Sequence, residues 1–357
     1  MTAATAQSGI GAGVADGRAF RLGFLLHLDS DLSPAQAYRE AIELFVAAEE
    51  LGYESGWVIQ RHFRQGNEHI SSPLVVLAAI AQHTTRIRLG TGVLVLPLED
   101  PLRVAEDAAT VDELSGGRLE LGVGSGPLPG AWEGFGKDLA DRHKLWDESV
   151  ARLHEVLDGV ALNSLGERLH PPAPGLRDRL WQATTSAPDY AIAAARAAAR
   201  AGDGLQLSRA HTWLGTTTAQ AQQWQAEIVA AYRDAWTLSD RPPRVQASRA
   251  VYPHPDRATA VELVTPGVRR WQKWGVSGSL DHTGSVEDYL EADHALIGPS
   301  ADLAAELAAD PALRYVTDLL VNFVPGVPER EEHLRLLKSS AHDLAPLLGW
   351  HPAAPTA

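Results

Sequence analysis

RIRLGTGVLVLPLEDPLRVAEDAATVDELSGGRLELGVGSG, residues 86–126, predicts a strand, a helix and a second strand joined by short turns. Residues 86–96 are β-branched or apolar, too few for a free helix, and bounded by Gly and Pro. Residues 101–114 carry apolar side chains at helical spacing behind a proline, and Ser-Gly-Gly ends that helix. Residues 119–123 then predict a buried strand. Two parallel strands joined by a helix form a βαβ unit, so the sequence indicates an α/β protein.

The same alternation continues along the rest of the chain. The predicted strands are 21–28, 55–59, 86–96, 119–123, 180–184, 204–208, 245–252 and 315–323. The predicted helices between and after them are 34–51, 73–84, 101–114, 142–157, 190–201, 216–236 and 329–348. Eight strands alternating with helices are typical of a (β/α)8 TIM barrel. A doubly wound sheet is the alternative, but it usually has fewer strands.

A chain of 357 residues fits one large barrel domain. We expect this domain over 19–350, with a flexible tail at 1–18 and another at 351–357. Insertions are expected near 159–178 and 253–311. The second insertion predicts either a mobile lid over the barrel mouth or extra helices on its rim.

Composition excludes several classes of function. The net charge of −14 argues against nucleic acid and anionic membrane as partners. The chain has no cysteine, which excludes disulfides, thiolate metal sites and cysteine nucleophiles. We find no apolar run long enough to span a bilayer and no secretory signal pattern, so we expect a cytoplasmic protein.

In a TIM barrel the active site lies where the strands end at their carboxyl termini. The positions selected by this rule are His27, Gln60, Arg61, His62, Thr91 to Leu94, Gly124 to Gly126, Thr184 to Ser186, Ser208, Arg209 and His211.

Gly122, Gly124 and Gly126 follow one another at the end of the fourth strand. A Rossmann fingerprint would open a helix at this point, whereas Pro-Leu-Pro-Gly follows and predicts no helix start. We favour a strand end stripped of side chains, against which a flat ligand can lie. A plain βα turn is the simpler interpretation.

Thr184, Thr185 and Ser186 precede a predicted helix, and hydroxyls at a helix start predict a phosphate site. Ordinary N-capping would need only one of them. Ser208 and Arg209 stand at the next strand end, where the arginine could bind the same phosphate or form a surface salt bridge.

His62 follows an apolar strand and could donate a hydrogen bond to a reacting oxygen or act as a base. A structural histidine is the alternative. No HExxH spacing, GxSxG elbow or P-loop occurs, so we expect no metal. Trp57, Trp132 and Trp181 are more typical of core or rim packing than of a ligand cage.

These segments together resemble the bacterial luciferase-like monooxygenase family. The similar stretches are 55–63, 71–126, 135–148, 180–186, 202–209 and 315–323. The resemblance implies a (β/α)8 barrel that binds reduced FMN or, in some branches, the deazaflavin F420. FMN-dependent members receive the flavin from a separate reductase, form a flavin C4a-hydroperoxide with O2 and oxygenate a small organic substrate. It also implies a homodimer.

By position, the resemblance places Thr91, Gly92 and Val93 along the flavin ring, through a bulge in the strand. It places Thr185 and Ser186, with Thr184 and Ser208 nearby, at the flavin phosphate. Arg142 or His143 matches a basic position near that phosphate.

Some residues depart from the family pattern. His62 and Arg61 are the catalytic candidates, but Arg61 stands where members carry the first of two histidines, so the role of that histidine is open. Ser125 replaces a phosphate-binding arginine, for which Arg209 could compensate. Gly124 stands where luciferase has a reactive cysteine, which argues against light emission.

Three functions follow from the resemblance. The first is a two-component monooxygenase that uses reduced FMN, and the second is an F420-dependent hydride-transfer oxidoreductase. The acidity of the chain favours FMN, because the polyglutamate tail of F420 calls for a basic rim. The third is a non-catalytic flavin-binding protein. The sequence does not identify the substrate.

Overall fold

The computed structural model describes residues 10–11, 18–28, 31–63, 68–183, 188–207, 216–274 and 284–352. The strands in these ranges are β1 (Arg21–Leu26), β2 (Ser55–Val58), β3 (Arg88–Thr91), β4 (Leu94–Val95), β5 (Leu119–Gly124), β6 (Leu180–Ala183), β7 (Gly204–Leu207), β8 (Val245–Pro253), β9 (Leu296–Gly298) and β10 (Asp318–Asn322). Eight of them form a closed parallel barrel in the order β1, β2, β3, β5, β6, β7, β8 and β10, because β10 pairs with both β8 and β1. The predicted fold class is confirmed.

Helices surround the barrel and connect its strands. Within the described ranges they are α1 (Pro34–Glu50), α2 (Pro73–Ala81), α3 (Pro101–Ser115), α4 (Pro129–Gly134), α5 (Arg142–Leu157), α6 (Pro188–Ala201), α7 (Thr218–Ala235), α8 (Arg257–Trp274), α9 (Val286–Ala292), α10 (Ser300–Ala309) and α11 (Arg330–Ser339). Local chemistry sets their ends. Asp100, for example, accepts hydrogen bonds from Leu102 N and Arg103 N at the start of α3, and Gly116 ends that helix in the left-handed region at φ 68°.

Three local predictions are wrong. The predicted strand 86–96 breaks into β3 and β4, and Leu96–Leu98 forms a 3-10 turn. The Pro-Leu-Pro-Gly sequence does open a helix, the short α4, because a proline suits the first helical position. The predicted helix 329–348 stays α-helical only over α11, after which Ser340–Leu344 is a π-helical turn.

The described part of the predicted insertion 253–311 contains α8, α9, β9 and α10. Helix α8 lies against the loop after β10, since a Cβ on Gly267 would be 2.5 Å from the carbonyl carbon of Gly326. In the predicted amino-terminal tail, Ile10 is buried and Gly11 N donates to Leu313 O at 3.0 Å.

Aromatic and aliphatic side chains fill the middle of the barrel. Trp57 and Trp181 meet edge to face at 5.8 Å between ring centroids, and Leu320 packs with them. Glycines make room for the two rings, because a Cβ on Gly90 would be 2.1 Å from the ring of Trp57. A Cβ on Gly204 would likewise be 2.3 Å from the ring of Trp181. The prediction that the tryptophans are packing residues is confirmed for both, and for Trp132, which is also buried.

Ion pairs fill the amino-terminal end of the barrel. Arg21 donates two hydrogen bonds to Asp318, at 2.8 and 2.7 Å. Glu120 pairs with Arg88 and also accepts a hydrogen bond from Trp181 Nε1 at 2.6 Å. Arg244 lies over the Trp181 ring, 4.5 Å from its centroid, and completes this layer.

Candidate active site

A bulge ends the third barrel strand at the carboxyl-terminal mouth. Gly90 pairs with Glu120 and Leu94 pairs with Val123, so four steps along β3–β4 oppose three along β5. One extra residue on one strand is the definition of a β-bulge, and it confirms the bulge expected around Thr91. Thr91 bridges the gap, because its hydroxyl donates to Gly122 O at 2.7 Å and accepts from Gly122 N at 2.8 Å.

Gly92 and Val93 form the part of this bulge that solvent partly reaches. Their peptide bond is cis, and both residues are half-buried. The side chain of Val93 covers Gly124, where an added Cβ would be 2.6 Å from Val93 Cγ2. The part of this edge of the mouth that solvent reaches is the Gly92–Val93 step, where Gly92 carries no side chain.

The three glycines at the end of β5 leave less room than the sequence suggested. A Cβ on Gly122 would lie 2.0 Å from Thr91 O, and one on Gly126 would lie 2.3 Å from a methyl group of Val95. Neighbouring strand atoms occupy the side-chain positions of these two glycines, so close strand packing already requires glycine there. The ledge for a flat ligand stays a prediction. Gly124 stays a predicted cofactor contact through its backbone and through Val93.

Gln60, at the end of β2, is fully hydrogen-bonded. Its Oε1 accepts from Val95 N at 2.7 Å, and its Nε2 donates to Ser71 O and to Glu99 Oε1, both at 3.1 Å. These contacts hold the far side of the bulge against the segment before α2. Gln60 is thus a structural residue of the mouth.

His62 is buried at the mouth, with an unpartnered ring nitrogen. Within the described ranges no group bonds its Nε2, and the side chain of Phe135 lies edge-on at 4.8 Å. Burial lowers the pKa of His62, although the charge of Glu99 opposes the shift. The neutral imidazole is therefore favoured near pH 7, and its Nε2 is available to a ligand.

Arg61 directly precedes this histidine, and Ser125 directly precedes Gly126, which lines the same cavity as His62. Arg61 and His62 line a cavity of about 20 Å³ together with residues 126–128 and Trp132. That volume is room for about one water molecule. Arg61 N donates to Ile70 O at 2.7 Å, and its guanidinium donates to Gln60 O at 3.3 Å. Ser125 is buried, and among described residues its hydroxyl has no partner.

Arg142 and His143 begin α5 and lie beside the start of α6. The ring of His143 is 4.0 Å from that of Tyr190, in the first turn of α6, and Arg142 Nη2 is 3.3 Å from His143 Nε2. Burial and the neighbouring Arg142 charge lower the pKa of His143. The structure thus brings both predicted basic residues to a helix amino terminus, where anions bind favourably.

Thr184, Thr185, Ser186, Ser208 and Arg209 lie outside the described residues. The strands before them, β6 and β7, run parallel to β5 and end at the same mouth. Ala183 is the last described residue before this corner, and its Cβ is 3.6 Å from the position of a Cβ on Gly124. The chain therefore enters the predicted phosphate corner next to Gly124.

Sequence reasoning missed Asn322, the last residue of β10. Its side chain is fully buried, and both its amide oxygen and its amide nitrogen lack a partner in the part of the chain that the structure describes. Buried amides are nearly always hydrogen-bonded, so such a group marks a place for a ligand or water. The signal in the sequence was one polar residue at the end of the apolar strand YVTDLLVNF.

The described residues fit a flavin on three counts. The half-buried Gly92–Val93 step offers a contact surface for a ring, and His62 and Ser125 offer polar atoms without a partner among the described residues at the same end of the barrel. Arg142 supplies positive charge at the start of α6 for a phosphate. No cluster of three metal-ligating side chains occurs in the described ranges.

A closed (β/α)8 barrel with polar groups gathered at its carboxyl-terminal mouth is an architecture of enzymes that bind small molecules. The family model for luciferase-like monooxygenases matches residues 20–317, and this chain belongs to that family. The predicted family is confirmed. Among described residues, no helix is both long and apolar enough to cross a bilayer.

The relatives include monooxygenases and F420-dependent dehydrogenases. The chain is 42% identical over 118 residues to a 4-hydroxyprotoasukamycin monooxygenase of Streptomyces nodosus subsp. asukaensis, covering 33% of this chain and 32% of the relative. It is 27% identical over 346 residues to an F420-dependent glucose-6-phosphate dehydrogenase of Mycobacterium avium, covering 87% and 94%. Across four curated relatives of 32–42% identity, the chain spans only 32–53% of their length.

The fold is shared with solved structures. One is the oxygenating constituent of 3,6-diketocamphane monooxygenase from Pseudomonas putida in complex with FMN, with a TM-score of 0.71 and 16% identity. The alignment covers 94% of this chain and 100% of that one. At this identity the similarity establishes the fold alone.

Proposed function

We propose that this protein is a monooxygenase that uses reduced FMN and O2 to oxygenate a small organic substrate. The observation that carries the proposal is the Gly92–Val93 bulge, at the same mouth as the unpartnered His62 Nε2 and Ser125 Oγ. Family membership and the monooxygenase relatives support the same reaction class.

Each predicted residue has a role in this proposal. Thr91, Gly92 and Val93 hold the ring edge, and the backbone of Gly124 keeps Val93 in place. Neutral His62 donates or accepts one hydrogen bond at Nε2, and Arg61 adds positive charge at the mouth. When bound, reduced flavin supplies the electrons that activate oxygen.

The phosphate end of the cofactor belongs to a second group of residues. Thr184, Thr185, Ser186 and Ser208 would donate hydroxyl hydrogen bonds, with Arg209 as a further cation. Arg142 and His143, at the start of α5, lie beside the first turn of α6, whose dipole favours an anion there.

An F420-dependent hydride-transfer enzyme is the second candidate. The observation that favours it is coverage, because the Mycobacterium avium relative aligns over 87% of this chain. The net charge of −14 opposes it, since the F420 tail is itself acidic.

Anaerobic titration with reduced FMN and with reduced F420, followed by admission of O2, separates these functions. We expect saturable binding of reduced FMN and a rate of flavin reoxidation by O2 that differs from that of free reduced FMN. Binding of F420 alone would overturn the monooxygenase proposal. FMN binding with reoxidation at the rate of free flavin would instead favour a non-catalytic flavin-binding protein.

The proposal includes a separate flavin reductase and a homodimer. We expect no oxidation of NADH or NADPH by the protein alone, and flavin-dependent oxygen consumption once any FMN reductase is added. Sedimentation velocity at micromolar concentration tests the dimer.

A further inference from the structure

Gln206, on β7, extends across the barrel interior and contacts two other strands. The residue is 4% exposed, and its Nε2 donates to Gln246 Oε1 on β8 at 2.9 Å. The same nitrogen donates to Thr91 O at the end of β3, in a longer hydrogen bond of 3.4 Å. Strands β5 and β6 lie between β3 and β7 in the barrel wall, so the side chain passes two strands to reach this carbonyl.

Gly122, on β5, makes room for this contact. A Cβ on Gly122 would lie 2.0 Å from Thr91 O, 2.4 Å from Gln206 Oε1 and 2.8 Å from Gln206 Nε2. Any side chain at this position would therefore separate the glutamine from the carbonyl. The glycine lets an amide from β7 meet the backbone of β3 inside the barrel.

The carbonyl that Gln206 contacts belongs to the first peptide of the bulge. The N–H of the same peptide is that of Gly92, and it donates to Val58 O on β2 at 2.8 Å. The peptide that enters the Gly92–Val93 step is thus held by β7 at its oxygen and by β2 at its nitrogen. Hydrogen bonds at both ends of one peptide polarise it and strengthen each other.

Gln246 determines how the amide of Gln206 is oriented. An amide oxygen accepts and an amide nitrogen donates, so the contact with Gln246 Oε1 requires the nitrogen of Gln206 on that side. A side-chain amide nitrogen carries two N–H groups, one for Gln246 and one for Thr91 O. The two glutamines therefore connect β8 to the backbone of β3 through polar contacts that an apolar side chain could not make.

We propose that Gln206 is a positioning residue that holds the Thr91 carbonyl and so fixes the Gly92–Val93 step against the flavin ring. Gln206 acts through the backbone of the bulge and takes no part in electron or proton transfer. A contact surface that is already in its bound shape costs less free energy to bind, so loosening it weakens binding. This inference rests on the proposed function, in which Gly92 and Val93 contact the ring.

The Thr91 carbonyl can be observed by NMR in the protein without cofactor. Thr–Gly steps occur in the sequence at 91–92 and 283–284. Threonine labelled with 13C at its carbonyl carbon and glycine labelled with 15N therefore give two correlated signals, of which T283S removes the second. A carbonyl carbon resonates downfield when its oxygen accepts a hydrogen bond, so we expect the Thr91 signal to move upfield in Q206L. An unmoved signal in Q206L would overturn the proposal, whatever the protein binds.

Q182L is the matched control for Q206L. Gln182 on the neighbouring strand β6 is also a buried amide, 6% exposed, but it donates to Asp203 Oδ2 at 2.6 Å, and Asp203 precedes β7 at the opposite end of that strand. Both substitutions remove a buried amide and leave its partner unsatisfied, so both should destabilise the protein. We expect the wild-type Thr91 signal in Q182L. Equal shifts in the two variants would reflect a general loosening of the barrel and overturn the proposal.

Q206E separates the hydrogen bond from the packing, because a carboxyl group has nearly the volume of the amide. The ionised carboxyl has no donor, whereas the protonated one has an O–H that can donate to Thr91 O. Burial raises the pKa of the introduced carboxyl, whose protonation its own 13C signal reports. We expect the Thr91 signal to lie upfield while the carboxyl is ionised and to return to the wild-type position once it is protonated. A signal that stays upfield after protonation would overturn the role of the hydrogen bond.

Reduced riboflavin tests the effect on the ring, since it has the ring of FMN without the phosphate. Under anaerobic conditions we expect its Kd to rise about tenfold in Q206L and to keep the wild-type value in Q182L. In Q206E the Kd, relative to that of the wild-type protein at the same pH, should fall as the carboxyl gains its proton. An unchanged Kd in Q206L, together with a shifted Thr91 signal, would overturn the positioning role.

Failure of the proposed function gives a different result. A wild-type protein that binds reduced riboflavin, but leaves the reoxidation of FMN at the rate of free flavin, would contradict the monooxygenase proposal alone. The Thr91 signal and the Kd for riboflavin would still support or overturn the role of Gln206. A wild-type protein that binds no reduced flavin would contradict both.

Discussion

The two ends of the barrel hold different kinds of buried polar groups. At the amino-terminal end, Arg21, Asp318, Arg88 and Glu120 pair with one another across neighbouring strands. At the carboxyl-terminal mouth, His62, Ser125 and Asn322 are buried with polar atoms that no described residue satisfies.

This difference assigns the two ends of the barrel to different tasks, stability at the amino-terminal end and ligand binding at the mouth. Paired charges fix strand register and close the bottom of the barrel, and removing one member leaves the other buried alone. Unpartnered groups destabilise the fold unless a ligand or water satisfies them. We therefore expect mutations at the two ends to change stability in opposite directions and cofactor binding at one end only.

E120A should give the largest loss of stability. Glu120 accepts from Trp181 and Arg88, and Arg244 Nη1 lies 3.9 Å from it, so its loss leaves two guanidinium groups without their main anion. We expect a loss of about 3 kcal/mol, the low end for a broken buried pair because Arg88 is partly exposed. Urea unfolding followed by tryptophan fluorescence measures it.

R103A is the control for E120A. Arg103 pairs with Glu106 and Asp107 on the outer face of α3, where ion pairs contribute under about 1 kcal/mol. The affinity of both variants for reduced FMN should match that of the wild-type protein. Weakened FMN binding in E120A would contradict the expectation that residues at the amino-terminal end do not contribute to cofactor binding.

R142Q should weaken FMN binding and leave riboflavin binding unchanged, because riboflavin lacks the phosphate. Loss of one charged hydrogen bond, worth about 1.5–3 kcal/mol, raises the Kd for FMN roughly ten- to a hundredfold. R152Q, on the same helix with its partner Glu155, is the control and should bind both flavins normally. If R142Q weakened the binding of FMN and of riboflavin equally, Arg142 would not contact the phosphate.

N322L should stabilise the protein while it impairs function. Leucine has a similar volume and removes two unsatisfied amide atoms, so we expect a gain of about 1–2 kcal/mol. Q182L is the matched comparison, because Gln182 is a buried amide that does have a partner, Asp203 Oδ2 at 2.6 Å. We expect Q182L to destabilise. If both variants lose stability, the Asn322 amide has hydrogen-bond partners in solution. Asn322 then does not belong to the unsatisfied groups of the mouth.

Much of the barrel could be predicted from sequence, because each strand is a short apolar run followed by a helix with its own stop signals. The register between neighbouring strands could not be predicted in this way. The bulge at Gly92–Val93 depends on how β3 and β4 pair with β5, and that pairing is invisible in one strand's composition. The same holds for α4, whose six residues carry too little periodicity to predict.

The positions of the candidate site residues could be predicted from the sequence, but their hydrogen-bond partners could not. The rule that strand ends form the mouth selected His62 and His27 correctly as mouth residues. It did not reveal that Gln60 is satisfied by three contacts, nor that Glu68 lies against a histidine 41 positions away. Such pairings are products of the closed fold, so a single sequence without neighbours in space cannot specify them.

H333L should leave stability near pH 7 almost unchanged and change the slope of stability against pH below that. Burial and His27 lower the pKa of His333 to about 3, whereas an unfolded histidine titrates near 6.5. Between those values the unfolded state binds the extra proton, so the wild-type protein loses up to about 1.4 kcal/mol per pH unit as pH falls. H333L removes this contribution, and its urea midpoint should fall less steeply from pH 6 to pH 4.

H83L, at an exposed position after α2, controls for the loss of a histidine as such and should keep the wild-type slope. The direction in which the slope changes shows whether a buried charge without a partner is tolerated, as paired charges are at the amino-terminal end of the barrel. The fold tolerates the buried histidine of α11 only uncharged, whereas the charges at the amino-terminal end of the barrel are tolerated because they are paired. An H333L slope equal to that of the wild-type protein would mean that His333 gains its proton while folded, and that its buried site on α11 admits a charge without a paired partner.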